Sequence, residues 1–148
     1  MRRLLIIGTG GHGKVVLDCA KQYYDSITFM ANDAFLSGIP GYPIIYEQET
    51  ALEDILKKYD ELVVAIGDNT ARLRISLEYA AKGMKLATII HSQAVCIGCS
   101  IAHNLTIGEN SVLGAGSAVI KDVPNNVLAA GVPATIRKYR SDPESITG

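Results

Sequence analysis

Two periodicities divide the chain. Up to about residue 90, short apolar runs alternate with longer amphipathic stretches. Residues 3–7 (RLLII) form an apolar run that stops at Gly8-Thr9-Gly10 and read as a buried strand. Residues 14–23 carry Val15, Val16, Cys19 and Ala20 at helical spacing. A second strand is predicted over 26–30, and a loop over 31–43, where Gly38, Pro40, Gly41 and Pro43 gather. Residues 50–59 predict a helix opened by the capping box Thr50-Ala51-Leu52-Glu53. A strand over 62–66 stops at Gly67. A helix over 71–82 sets Leu73, Leu77 and Ala80 on one face and ends at Gly83. Residues 86–90 predict a further strand. Strands alternating with helices predict a parallel sheet of about four strands.

After His91 the period changes. Val95, Ile101, Ile107, Leu113 and Val119 recur every six residues, with the small or aliphatic Cys99, Leu105, Ser111, Ser117 and Val123 four positions further on. Gly108 and Gly114 directly follow two of the aliphatics. Neither a helix nor a plain strand has a period of six, and chance spacing in a β-rich segment does not give five in-register positions. A hexapeptide repeat is a signature of a β-helix, in which three short strands per coil form a triangular prism with the aliphatic side chain inside. Counted from Val95, the five hexads make fewer than two coils. Repeat folds use about three units, so assembly and the preceding domain are expected to cover the ends. The chain therefore divides into an α/β domain over 1–90, a short β-helix over 91–136 and a polar, frayed tail over 137–148.

Composition narrows the partners. The 148 residues suffice for one domain or two small units. A net charge of −1 gives no field that would gather nucleic acid or an anionic membrane, and without Trp a base-stacking platform is not expected. The apolar runs are too short to span a bilayer, and Arg2-Arg3 before Leu4 fails as a leader because the run ends at Gly8. A cytoplasmic location is expected. Three cysteines make no disulfide framework. Cys96, Cys99 and His103 have the spacing of a zinc cluster. However, Cys99 falls on an inward position while Cys96 follows the inward Val95, so the thiols are expected on different sides and no metal is expected.

The loop Gly8-Thr9-Gly10-Gly11-His12-Gly13 fits G-x-G-x-x-G between a strand and a helix, where glycines admit a phosphate to free N–H groups at the positive end of the helix dipole. The alternative is a tight turn with no ligand. A P-loop is excluded: Gly8, Gly13 and Lys14 are in place, but Val15 stands where Mg²⁺ needs Ser or Thr. A full NAD site needs a larger sheet, although Asp33 lies at a plausible distance for a ribose contact. Gly67-Asp68-Asn69 follows another parallel strand, at the end where ligands bind. Asp68 and Asn69 there either contact a ligand or cap the helix beginning near Thr70.

Several blocks, in order, carry a family resemblance: residues 5–16 (LIIGTGGHGKVV), 64–69 (VAIGDN), 86–91 (LATIIH), 107–117 (IGENSVLGAGS), 121–124 (KDVP) and 131–134 (GVPA). Together they cover nearly the whole chain. They resemble the sialic-acid O-acetyltransferase and UDP-amino-sugar (bacillosamine-type) N-acetyltransferase family of hexapeptide-repeat acyltransferases. The resemblance implies an N-terminal Rossmann-like parallel sheet followed by a left-handed parallel β-helix, here shortened. It implies a homotrimer with active sites at the subunit interfaces, serving polysaccharide biosynthesis. Acetyl-CoA is implied as donor, without a metal, and a nucleotide-linked amino sugar or a sialic acid as acceptor. It places the nucleotide sugar on Gly8, Gly10, Gly11, His12, Gly13, Gly67, Asp68 and Asn69. Where the family has acidic residues after the second strand, this chain has Ala31 and Asn32, and Asn32 takes the base or ribose contact. Ala115, Gly116 and Gly131 would give acetyl-CoA close backbone access, with Lys138 and Arg137 toward its phosphates.

Acetyl transfer from a thioester needs a base for the attacking amine or hydroxyl, and histidine suits neutral pH. Of the three histidines, His12 belongs to the glycine loop and His91 to the domain junction. His103 is third in the hexad 101–106, the place of the family's catalytic histidine. Asn104 follows it where the family has a carboxylate; an amide orients the ring but does not stabilise its cation. Residues 101–108 also resemble a later family repeat with Gly at the histidine position. On that alignment the catalytic coils are missing and the chain is a non-catalytic sugar-nucleotide-binding module. A nucleotide-dependent regulator or oxidoreductase built on the glycine loop is the third reading, disfavoured by the repeat.

Overall fold

Apolar runs of three to six residues form the sheet of the first unit, which ends at Ala87. β1 (Arg3–Ile7), β2 (Ser26–Ala31), β3 (Ile44–Tyr46) and β4 (Glu61–Val64) pair in the order β3-β2-β1-β4, all parallel. This computed structural model describes residues 1–32 and 39–140. Alternation along the strands sorts the core onto two faces. Leu5, Ile7, Met30, Leu62 and Val64 meet Ile55 of α2 (Leu52–Lys58) and Tyr79 of α3 (Asn69–Ala81). Leu4, Ile6, Phe29 and Val63 alternate onto the opposite face and are equally buried. There α1 (Gly11–Ala20) comes so close that a Cβ on Gly13 would stand 3.6 Å from the Phe29 ring.

Several expectations are corrected. No element is predicted between the loop over 31–43 and the helix from 50; there β3 is an edge strand whose Ile44 and Ile45 align with Phe29 and Met30. Asp33 lies outside the described residues. The capping box does not form: Ala51 is the N-cap of α2, with no side-chain cap. The Thr50 hydroxyl instead donates to the Tyr46 carbonyl at 3.0 Å, behind a single 3₁₀ turn at Glu47–Glu49. Val15, read as part of the inner face of its helix, is 43% exposed. α3 turns the opposite way from its expected face. Ser76 and Tyr79 are buried, while Leu73 and Leu77 are 61% and 57% exposed. The strand expected over 86–90 is split: Leu86 bridges Leu62 of the first sheet, and β5 (Ile89–Ile90) belongs to the second unit, which begins at Thr88.

At the amino ends of β1 and β4 a buried carboxylate ties the first unit together. The Glu61 side chain is 8% exposed and pairs with Arg2 at 2.7 Å and with Lys85. It accepts the Tyr24 hydroxyl at 2.5 Å, and Arg2 lies over the Tyr24 ring. Burial pushes the Glu61 carboxyl up, but hydrogen bonds from Lys85, Tyr24 and Arg2 outweigh it and hold the group below the usual range. A depressed folded value adds stability above the unfolded value near 4.3, and this is lost as pH falls through the folded value. Glu61→Ala leaves the Tyr24 hydroxyl and two cations without their acceptor. It should cost about 2–4 kcal/mol and flatten the acid limb of stability, read from urea unfolding between pH 3 and pH 7.

In the second unit the pattern of six becomes a set of parallel ladders. β5 pairs with β8 (Thr106–Ile107), β6 (Val95–Cys96) with β9 (Val112–Leu113), and β7 (Ser100–Ile101) with β10 (Ala118–Val119). β9 also pairs with β11 (Val127–Gly131), and Ile107 bridges Val123. The chain thus returns to the same ladder every 16–18 residues. Two of the ladders hold three levels, so the stack exceeds the fewer than two coils counted from Val95: β5 precedes the first counted hexad and β11 follows the last. Ile107, Leu113, Val119, Leu105, Val123, Ser111 and Ser117 are buried, as the repeat predicts. The buried hydroxyls are satisfied: Ser111 and Ser117 donate to the carbonyls of Gly108 and Gly114.

The corners carry a second signal with the same period. Gly98, Asn104, Asn110 and Gly116, six residues apart, have φ of 59°, 59°, 51° and 72°. Gly and Asn tolerate this left-handed region best. Asn126 (φ 57°) lies one coil beyond Asn110, whose Nδ2 donates to its Oδ1 at 2.8 Å. Cys96 and Cys99 both pack against the second core, so the expectation that their thiols face different sides is not met; Gly98 turns the chain between them. Burial, then the neighbouring Cys99, raises the Cys96 thiol. β11 closes antiparallel with β12 (Ala134–Tyr139), so Arg137, Lys138 and Tyr139, expected in a frayed tail, are strand residues. The remainder of that expected tail, 141–148, lies outside the described residues.

Candidate functional site

Because the strands of the first sheet are all parallel, their carboxyl ends share one edge. The chain steps from β1 to β2 and β3 on one side and places β4 on the other, so the order reverses beside β1. Such a reversal opens a crevice beyond the strand ends. The glycine loop follows β1, the exposed Asn32 follows β2, and Gly67, Asp68 and Asn69 follow β4. The residues picked from sequence thus meet at one edge. Asp68 serves the helix: its Oδ1 accepts the Ala71 N–H at 2.6 Å as N-cap of α3. One carboxylate oxygen does this.

The loop's glycines fall into two classes. A Cβ on Gly8 (φ +113°) would stand 2.6 Å from the Ala65 carbonyl oxygen, and one on Gly13 would stand 2.2 Å from the Gly8 carbonyl oxygen. These two let strand and helix touch. At Gly10 and Gly11 nothing lies within 4 Å of the Cβ position. Nothing among the described residues demands glycine there, and the space opens over the start of α1. Gly10 is the N-cap without a side-chain hydrogen bond, and the first turn holds no acidic residue. The exposed N–H groups and the dipole suit an anionic group. His12 lies half-buried in the same turn. Gly11→Ala should leave the urea midpoint nearly unchanged yet weaken a phosphate-bearing ligand about tenfold or more, read by calorimetry.

In the second unit His103 is exposed, and no side-chain hydrogen bond engages it among the described residues. Asn104 beside it is buried and forms a left-handed corner. His103 does not converge with Cys96 and Cys99 into a cluster with ligand atoms within 4.8 Å. Sequence reading missed a histidine–carboxylate neighbourhood. A ring nitrogen of His91 and a carboxylate oxygen of Glu109 lie within 4.8 Å of each other. The His91 N–H of the main chain donates to the Ile107 carbonyl, and its Nδ1 accepts the Gln93 N–H at 3.2 Å. The ladder offset was the signal, since His91 and Glu109 stand 18 residues apart.

Of the residues assigned to a cofactor, Ala115 and Gly116 are exposed at a corner, and the Gly131 N–H donates to Ser117 Oγ at 3.2 Å. These three therefore share one region. Lys138 does not join them: it pairs with Leu128, at the far end of β11 from Gly131. Arg137 does, since its Nε donates to the Ala130 carbonyl at 3.2 Å and its guanidinium lies against Gly131. No described helix is long and apolar enough to cross a membrane.

The PglD N-terminal domain family matches residues 3–79. A putative acetyltransferase of Saccharomyces cerevisiae is 38% identical over 85 residues, 55% of this chain and 43% of that protein. The chain spans less than half the length of the first curated relatives it matches. Among solved structures, the acetyltransferase domain of PglB from Neisseria gonorrhoeae, in complex with acetyl coenzyme A, is 22% identical with a TM-score of 0.67, covering 91% of this chain and 98% of that one. A mutant perosamine N-acetyltransferase from Caulobacter crescentus, in complex with CoA and GDP-perosamine, is 21% identical with a TM-score of 0.61, covering 93% and 98%. At these identities the likeness is one of fold.

Proposed function

The chain belongs to the PglD N-terminal domain family, and from that premise we propose that it moves an acetyl group from acetyl-CoA to a nucleotide-linked amino sugar or a sialic acid. The observation that carries this is the open space at Gly10 and Gly11 over an uncapped helix start, at the edge where the sheet order reverses. The nucleotide's phosphates take the N–H groups of that turn, with His12, Asn32, Gly67, Asp68 and Asn69 around base, ribose and sugar. The acetyltransferase domains of like fold bind acetyl-CoA or CoA, which supports the donor. The second unit is a short left-handed β-helix on this reading, supported by ladders that recur every 16–18 residues and left-handed corners every six. Three copies assemble about it. Acetyl-CoA lies along Ala115, Gly116 and Gly131, with Arg137 toward its phosphates and Lys138, at the far end of β11, left out of the site. The protein works in the cytoplasm, where acetyl-CoA is made.

His103 is the base. It takes the proton of the attacking amine or hydroxyl as that atom bonds to the thioester carbon; the tetrahedral intermediate then expels the CoA thiolate, which is reprotonated. Buried Asn104 fixes the ring's backbone. One observation favours a second reading, a binding module without catalysis: Asn104 stands in the corner series with Gly98, Asn110 and Gly116, so the repeat alone accounts for it. Incubation with acetyl-CoA and a panel of UDP- and GDP-amino sugars and free sialic acid should release CoA thiol with at least one acceptor. Saturable nucleotide-sugar binding without any thiol release would favour the binding module.

A further inference from the structure

The amphipathic stripe of α3 is spent on neither the core nor the strand-end crevice. Leu73 and Leu77 are 61% and 57% exposed, and Ala80 and Ala81, on the same side, are exposed as well. The core contacts of this helix come from Ile75, Ser76 and Tyr79 on the opposite side. Two large aliphatics one helical turn apart on one surface form a patch that water does not favour.

We propose that this stripe binds the same stripe of a second copy of the chain, with the two α3 helices antiparallel about a two-fold axis near Leu77. Three features select that occupant. Size is self-complementary: with Leu77 on the axis, Leu73 of each copy falls over the small Ala80 and Ala81 of the other, so large meets small. Charge is self-complementary too. Arg74 and Glu78 lie on the same flank of the stripe, and a two-fold near Leu77 in an antiparallel pair keeps that flank on the same side in both copies, where the long Arg74 side chain of each copy reaches along to Glu78 of the other, giving two reciprocal ion pairs. Finally, the exposed Glu78 bridge to Lys82, at 2.7 Å, stays within one helix and is weak enough to share its carboxylate. A single helix pair is smaller than a standard interface, so the contact is concentration-dependent. It joins whatever assembly the second unit forms into pairs.

Light scattering coupled to gel filtration, from low micromolar to millimolar full-length chain, should show the mass of the basic assembly double as concentration rises. Leu77→Glu should abolish the doubling while the dilute mass and the circular dichroism spectrum stay unchanged. Arg74→Glu and Glu78→Arg should each weaken the doubling about tenfold, and the two together should restore most of it. Doubling that persists in Leu77→Glu, no doubling at millimolar concentration, or a charge-swapped pair as weak as its single variants would each overturn the proposal.

Discussion

Gly13→Ala is expected to destabilise the first unit by about 3 kcal/mol or more, read as a shift of the urea unfolding midpoint, and the reason is steric. The new methyl would stand 2.2 Å from the Gly8 carbonyl oxygen and 3.1 Å from its carbon. Both are backbone atoms, so no rotamer change relieves the overlap; strand and helix must separate. Gly8 is fixed in turn, because its φ of +113° and its approach to the Ala65 carbonyl prevent it from yielding. Gly8 N–H donates to the Met30 carbonyl at 2.9 Å, so movement there pulls on β2. Gly10→Ala meets nothing within 4 Å and is the control: it should shift the midpoint by less than about 1 kcal/mol. Similar losses at positions 10 and 13 would mean that the loop's glycines serve conformation alone, without a ligand space.

His103→Ala is expected to lower kcat for acetyl transfer by about 10²–10⁴-fold, with nucleotide-sugar binding unchanged by calorimetry. The ring is exposed, so its loss should leave the unfolding midpoint in place and separate chemistry from folding. Asn104→Gly is informative beside it. Glycine suits a φ of 59°, so the fold should hold; a drop in kcat then assigns Asn104 to orienting the ring, whereas unchanged kcat assigns it to the corner. Unchanged kcat in His103→Ala would remove His103 from the mechanism. The pH profile of His91→Gln would then test the histidine that lies near Glu109.

What the sequence disclosed depended on how local the physics was. The buried runs of β1, β2 and β4 were legible because their cores are short, mostly apolar runs, closed by glycine after β1 and β4. β3 was not: its three residues gain their pairing from Phe29, Met30 and Ala31, and Pro40, Gly41 and Pro43 dominate the local signal. α3 was legible as a helix but not in its orientation. Leu73 and Leu77 satisfy the same period as Ser76 and Tyr79, and the burial of a serine and a tyrosine depends on partners far along the chain. The Ser76 hydroxyl donates back to the Arg72 carbonyl at 2.7 Å, which lets it sit inside. Inward positions such as Leu105, Ile107, Leu113 and Val119 were read correctly from period six, yet the corner asparagines were not, although they repeat as faithfully. At the candidate site, the convergence of the glycine loop with Asn32 and Gly67–Asn69 followed from parallel strands. The separation of Lys138 from Gly131 did not, because it depends on an antiparallel hairpin that the tail's polarity concealed.

The corners at 98, 104, 110 and 116 also constrain how this unit can change in length. A deletion of one full circuit, about 17 residues, removes one storey and lets the neighbours meet with aliphatics still facing inward. A deletion of two or three residues instead rotates everything after it and turns the aliphatics outward. If the ladders close into a β-helix, as proposed, the height of this unit varies by integer steps.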